Sequence, residues 1–175
     1  MLKKLLLGVV FIIAAVAMVA SQQPDEFKVS RSATMNAPAS EIFAQVNNLQ
    51  NWKAWSPWEK LDPNATSNFE GPDAGVGAKM SWAGNMDVGV GSMTIAESRP
   101  DRIRFDMDFK EPMAGQSTAE FSFKDVSGQT EVTWSMYGKN NFMGKLASLI
   151  FDCEKMVGEQ FEKGLANLKT LVETK

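Results

Sequence analysis

"GEQFEKGLANLKTLVE", residues 158–173, spaces Phe161, Leu165, Leu168 and Leu171 three or four residues apart, the interval at which side chains share one face of an α-helix. Upstream, Leu146, Leu149, Ile150, Cys153 and Val157 continue the same stripe. The pattern predicts one amphipathic helix from about Asn141 to Val172. Roughly 30 helical residues extend about 45 Å, so the stripe needs an equally extended apolar partner. Gly164 sits within the stripe. A glycine there costs about 1 kcal/mol relative to alanine, which predicts either a close approach of helix and sheet or open space beside them. Cys153, on the apolar face, reads as a small buried hydrophobe.

The partner is written in two-residue periodicity. In "RIRFDMDF" (102–109), Ile103, Phe105, Met107 and Phe109 share one face, and Arg102, Arg104, Asp106 and Asp108 share the other. One face is buried and one solvated. The four alternating charges read as a solvated ladder rather than a catalytic carboxylate pair. Similar short runs occur at 26–35, 66–70, 77–84, 91–98, 117–126 and 130–138, divided by turns such as Arg99-Pro100-Asp101 and Ser127-Gly128-Gln129. An α+β domain follows: a curved antiparallel sheet of about six to seven strands wrapped around a long C-terminal helix. A single helix does not fill such a concavity with side chains, and the remaining gap is a candidate apolar cavity.

Between the first strand and the meander lies "NAPASEIFAQVNNLQNWKAWSPWEK" (36–60). Ser40 is placed to cap a short helix carrying Ile42, Phe43 and Val46. Pro57 turns Ser56 away from helical geometry, so Trp52 and Trp55 close this excursion and Trp58 opens the next strand. The three rings form either the core of a lid over the sheet or a wall of the cavity mouth.

Composition narrows the chemistry. The chain has no histidine and one cysteine, which excludes the usual zinc sites, Ser-His or Cys-His nucleophile pairs, and an internal disulfide. A net charge of −3, or −5 without Lys3 and Lys4, argues against a nucleic-acid partner. The glycine clusters at 71–79 and 89–93 match neither phosphate-binding pattern, so no cofactor is expected. "NAT" at Asn64 matches a glycosylation acceptor but reads as part of a turn-rich segment.

At the N-terminus, "MLKKLLLGVVFIIAAVAMVASQQPDEF" sets two lysines before an apolar run from Leu5 to Ala20 and acids after it. Residues 1–24 read as a signal sequence or membrane anchor, and 25–175 as the folded domain. The charge order places the domain on the outer face of an inner membrane, or free in the periplasm if the leader is cut. The apolar run spans roughly 24 Å against a bilayer core of about 30 Å.

The order of elements, "NAP", "WSPW", "EPMAGQSTAEFSF", "VTWSM" and the terminal "GLANLK" together resemble the START-like, or SRPBCC, superfamily of helix-grip proteins. The closest likeness is to its bacterial polyketide cyclase/dehydrase-type branch, over about residues 27–173. The resemblance implies a hydrophobic-ligand cavity and no universal catalytic residue.

The inward strand positions Met80, Trp82, Phe105, Met107, Phe121, Trp134 and Met136 are candidate cavity residues. Trp55 joins them from the excursion, and Cys153, Val157 and Phe161 from the helix, beside Ile150. Eleven methionines suit an adaptable apolar surface. Three functions remain open. The first is a tethered or exported binding module for a lipid or other hydrophobic small molecule, with the membrane as a second partner through the leader. The second is a cyclase or dehydratase using Tyr137, Glu70, Asp87 or Arg104. The third is an envelope interaction domain with a packed core, binding through exposed tryptophans of "WSPW".

Overall fold

The computed structural model describes residues 2–174. Strand β1 (Glu26–Met35) is followed by helix α2 (Ala39–Asn47), two 3₁₀ turns (Leu49–Ala54 and Pro57–Lys60) and strands β2 (Thr66–Glu70), β3 (Lys79–Ala83), β4 (Val90–Arg99), β5 (Arg102–Glu111), β6 (Gly115–Val126) and β7 (Gln129–Lys139). Helix α1 (Leu2–Ser21) precedes them; α3 (Phe142–Ala147) and α4 (Cys153–Glu173) close the chain.

The strands form one antiparallel sheet in the order β1-β7-β6-β5-β4-β3-β2. Six consecutive strands make the meander, and β1 pairs with β7, from Glu26 opposite Lys139 to Met35 opposite Thr130. The excursion of α2 and the two 3₁₀ turns therefore carries the chain from one sheet edge to the other. Edge strand β2 is exposed throughout and mostly polar, which discourages further strand pairing. The expected alternation is present in β5, where Ile103 and Phe105 are fully buried. On its outer face, beside the β4 bulge between Ile95 and Glu97, Glu97 accepts from Arg102 at 2.8 Å and lies 3.1 Å from Arg99 and 3.7 Å from Arg104. The hydrogen bond from Arg102 holds its carboxyl below the ordinary glutamate value, against the opposing effect of burial.

Helix α4 lies in the concavity with Phe161, Leu165, Leu168 and Val172 buried. Arg31 of β1 straps it to the sheet edge, reaching Glu154 at 2.7 Å and Glu162 at 2.6 Å on either side of Gly158. The predicted single C-terminal helix is instead two. Asn141 caps α3 by accepting from Gly144 N at 2.8 Å, and Asp152 caps α4 by accepting from Lys155 N at 3.0 Å. The break turns the first half of the stripe outward, so Ile150 is 75% exposed and Cys153 is exposed rather than buried.

Two smaller expectations also change. Helix α2 starts directly behind Pro38 with no side-chain cap, leaving Ser40 in its first turn. Trp58 belongs to the second 3₁₀ turn, which Pro57 opens, and not to a strand. Among the described residues no helix is long and apolar enough to cross a membrane.

Candidate functional site

The centre of the molecule is a stack of rings. Trp134 of β7 lies against Phe161 of α4 with centroids 4.2 Å apart and planes 8° from parallel, and against Phe121 of β6 at 4.7 Å. Trp52, Trp55 and Trp58 each meet Trp134 edge-on at 5.7–5.8 Å. Such offset and edge-to-face pairs are worth about 0.5–1.5 kcal/mol each beyond buried area. The tryptophan-rich excursion thus wedges between helix and sheet. Trp52 Nε1 donates to Val46 O at 2.9 Å, whereas the buried Nε1 atoms of Trp55 and Trp134 have no acceptor among the described residues.

Beside this stack a cavity of about 280 Å³ opens between the sheet and the start of α4. Met80, Met93, Met107 and Met136 supply its sheet wall, Trp52 and Trp58 one flank, and Val157 and Phe161 the helix side. Trp82 lines the cavity beside the β3–β4 loop. Its Nε1 donates to Val88 O at 3.3 Å, and its ring passes over Gly91 on the paired strand. A Cβ at Gly91 would stand 2.6 Å from Trp82 Cζ2, so only glycine leaves the ring this place. The mouth is formed by Glu59, the β3–β4 loop with Met86 and Asp87, and the end of β5 at Glu111 and Pro112.

Of the candidate residues, Met80, Trp82, Met107, Trp134, Met136, Val157 and Phe161 come together around this space. Trp55, Phe105 and Phe121 are fully buried beneath it and do not line it. Cys153 lies outside it, at the exposed start of α4. Met86 and Val88 were not foreseen, because the loop that carries them has no periodicity; Asp87, between them, was named only as an acid–base candidate. Glu111 was within reach: it is the next position after Phe109 on the inward face of β5.

The groups considered for acid–base work are dispersed. Glu70 pairs with Lys79 at 3.3 Å, and Arg104 lies by Glu97 on the outer face. Tyr137 contacts Glu120 at 3.4 Å, and burial, followed by the Glu120 charge, raises its pKa, so it holds its proton at neutral pH. None of these three lines the cavity; Asp87 does, at the exposed rim. Tryptophans for an exposed docking face are also missing, since Trp52 and Trp55 are buried and Trp58 is half-buried.

A seven-stranded antiparallel sheet gripping a C-terminal helix, with an apolar cavity between them, defines a helix-grip domain. The chain belongs to the polyketide cyclase / dehydrase and lipid transport family, which it matches over residues 26–173. No curated protein sequence matches it. Among solved structures it resembles the protein MLL2253 from Mesorhizobium loti at a TM-score of 0.63 and 10% identity, with 85% of this chain and 98% of that one covered. It also resembles Aha1 from Colwellia psychrerythraea, solved as a dimer, at 0.60 and 16%, covering 84% and 96%. A third is the protein CV1439 from Chromobacterium violaceum, at 0.58 and 17%, covering 86% and 99%. At these identities the likeness speaks for the fold alone.

Proposed function

We propose that this protein binds a lipid or other hydrophobic small molecule in the cavity between sheet and α4. The observation that carries the reading is the cavity itself. Its walls are methionine and aromatic rings, its volume is about 280 Å³, and its mouth is open while the adjoining core is tightly packed. That volume is near the lower end of the roughly 300–1,000 Å³ usual for ligand sites. Native mass spectrometry of the chain produced in a bacterial host is expected to show a small-molecule adduct that organic extraction releases. Val157 is half-buried on the helix side of the cavity, and Val157→Trp should lower capture at least tenfold with little change in melting temperature. A bare mass that persists after incubation with host lipid extract counts against the reading.

We further propose that residues 1–24 direct export and either anchor the domain or are removed. Supporting this are Lys3 and Lys4 ahead of the apolar run and the exposed side chains of Leu7, Phe11, Ile12 and Ile13 on α1. Phe142, Met143, Ile150 and Phe151, in the segment that begins at α3 against α1, are also exposed. A lipid surface would cover both sets together. Fractionation of expressing cells tests this. Carbonate-resistant membrane association indicates an anchor, and a shortened chain in the periplasm indicates cleavage. A full-length chain confined to the cytoplasm overturns the proposal.

A further inference from the structure

We infer that the cavity selects positively charged amphiphiles, such as alkylamines or quaternary ammonium compounds, over anionic ones of equal apolar size. The inference rests on the hydrophobic-ligand reading and adds the sign of the ligand's charge.

The charged residues lining the cavity are Glu59, Asp87 and Glu111, and no lysine or arginine accompanies them. They arrive from three distant parts of the chain: the second 3₁₀ turn, the β3–β4 loop and the end of β5. All three are exposed. Among the described residues none of their carboxylates has an ion-pair or hydrogen-bond partner. Elsewhere on the surface Glu70, Glu97, Asp108 and Glu154 each hold a lysine or arginine, so the mouth is a place where carboxylates gather without such a partner.

Two lysines adjoin these carboxylates in sequence, and neither lines the cavity; Lys60, beside Glu59, is exposed at the end of its turn. Lys110, next to Glu111, points to the outer face and pairs with Asp108 at 2.7 Å. The positive N-terminal end of α4, beyond Val157, is answered by its cap Asp152 and by Glu154. Behind the loop, Asp62 adds another carboxylate, accepting from Asn85 N at 2.7 Å.

A ligand whose tail fills the methionine-lined interior must bring its polar head to this mouth. An anionic head meets three unpaired like charges and no cation among the lining residues. A cationic head meets complementary charge, with the faces of Trp58, Trp82 and Phe109 nearby as further sites for an ammonium group. Because the carboxylates are exposed, their combined influence is moderate and sensitive to salt.

The test uses the full chain in phosphatidylcholine nanodiscs, titrated calorimetrically with octyltrimethylammonium, octanol and octanoate after subtraction of empty nanodiscs. Octyltrimethylammonium is expected to bind roughly tenfold more tightly than octanoate at low ionic strength, with the ratio shrinking at about 0.5 M salt. In the triple variant Glu59→Gln, Asp87→Asn, Glu111→Gln, the ratio should approach one. Octanol reports on the cavity without charge. If octanol binds but octanoate matches the cation, or the triple variant keeps its selectivity, charge selection is overturned while the cavity reading stands. If none of the three binds, the cavity reading fails and takes this inference with it.

Discussion

Trp134→Ala is expected to remove about 3–5 kcal/mol of folding stability, read as a lower urea midpoint at unchanged slope. Domains of this size have roughly 5–15 kcal/mol in total, so the variant should be barely folded at 37 °C. Trp134 is 2% exposed, and its ring is the one against which both Phe161 and Phe121 stack and three other tryptophans abut. No neighbour can fill its place: α4 is strapped by Arg31, and the sheet is hydrogen-bonded on both sides of β7. Trp134→Phe should behave differently. It keeps a stacking ring and deletes a buried N–H that has no acceptor among the described residues, so part of the lost area is offset, and about 1–2 kcal/mol is expected. A loss below 1 kcal/mol in the alanine variant would mean that the ring cluster is not the centre of cohesion. Equal losses in the two variants would mean that stacking contributes nothing specific.

The fold was legible because its two periods are clear. Alternation in 102–109 and the stripe through Phe161, Leu165 and Leu168 both lead to the observed sheet and helix. The break at Ser148–Asp152 was obscured because the apolar stripe runs on through it. The signal against continuity was a single residue, Asp152, whose side chain caps a new helix more favourably than it continues an old one. Pro57 carried a comparable signal, since proline at a first helical position suits a short turn better than the run-in to a strand.

The candidate site was legible only by face. Phe105 and Met107 are two residues apart on the same side of β5, yet one is sealed under Trp52 and the other touches open space. Periodicity assigns the side of the sheet. Depth along the strand depends on where α4 and the 3₁₀ turns cross it, and those crossings are long-range facts. The acidic mouth was less legible still, because its residues come from a loop, a turn and a strand end whose meeting depends on the completed topology.

Gly164 joins the two halves of this account, and its substitution should have the second large effect. In a helix interior Gly→Ala normally gains about 1 kcal/mol. Here the added Cβ would stand 2.7 Å from Trp134 Cζ3 and 3.1 Å from Pro57 Cδ. Neither neighbour yields easily: the indole is held between two phenylalanines, and the proline ring is buried at the start of its turn. Gly164→Ala is therefore expected to lose about 1–3 kcal/mol net, and Gly164→Leu more than about 3 kcal/mol. The indole lines the cavity, so ligand capture should fall with stability. Gly158, two turns earlier on the same helix, is the control. The three atoms nearest a Cβ there all belong to the guanidinium of Arg31, the end of a long side chain about one-quarter exposed that can shift at the cost of loosening its ion pairs with Glu154 and Glu162. Gly158→Ala should consequently cost less than Gly164→Ala, although its unrelaxed contact is the closer of the two. The comparison separates rigid packing against Trp134 from helix propensity, which is the same at both positions. If the two alanine variants lose equal stability, the close approach at Trp134 is not what the glycine preserves.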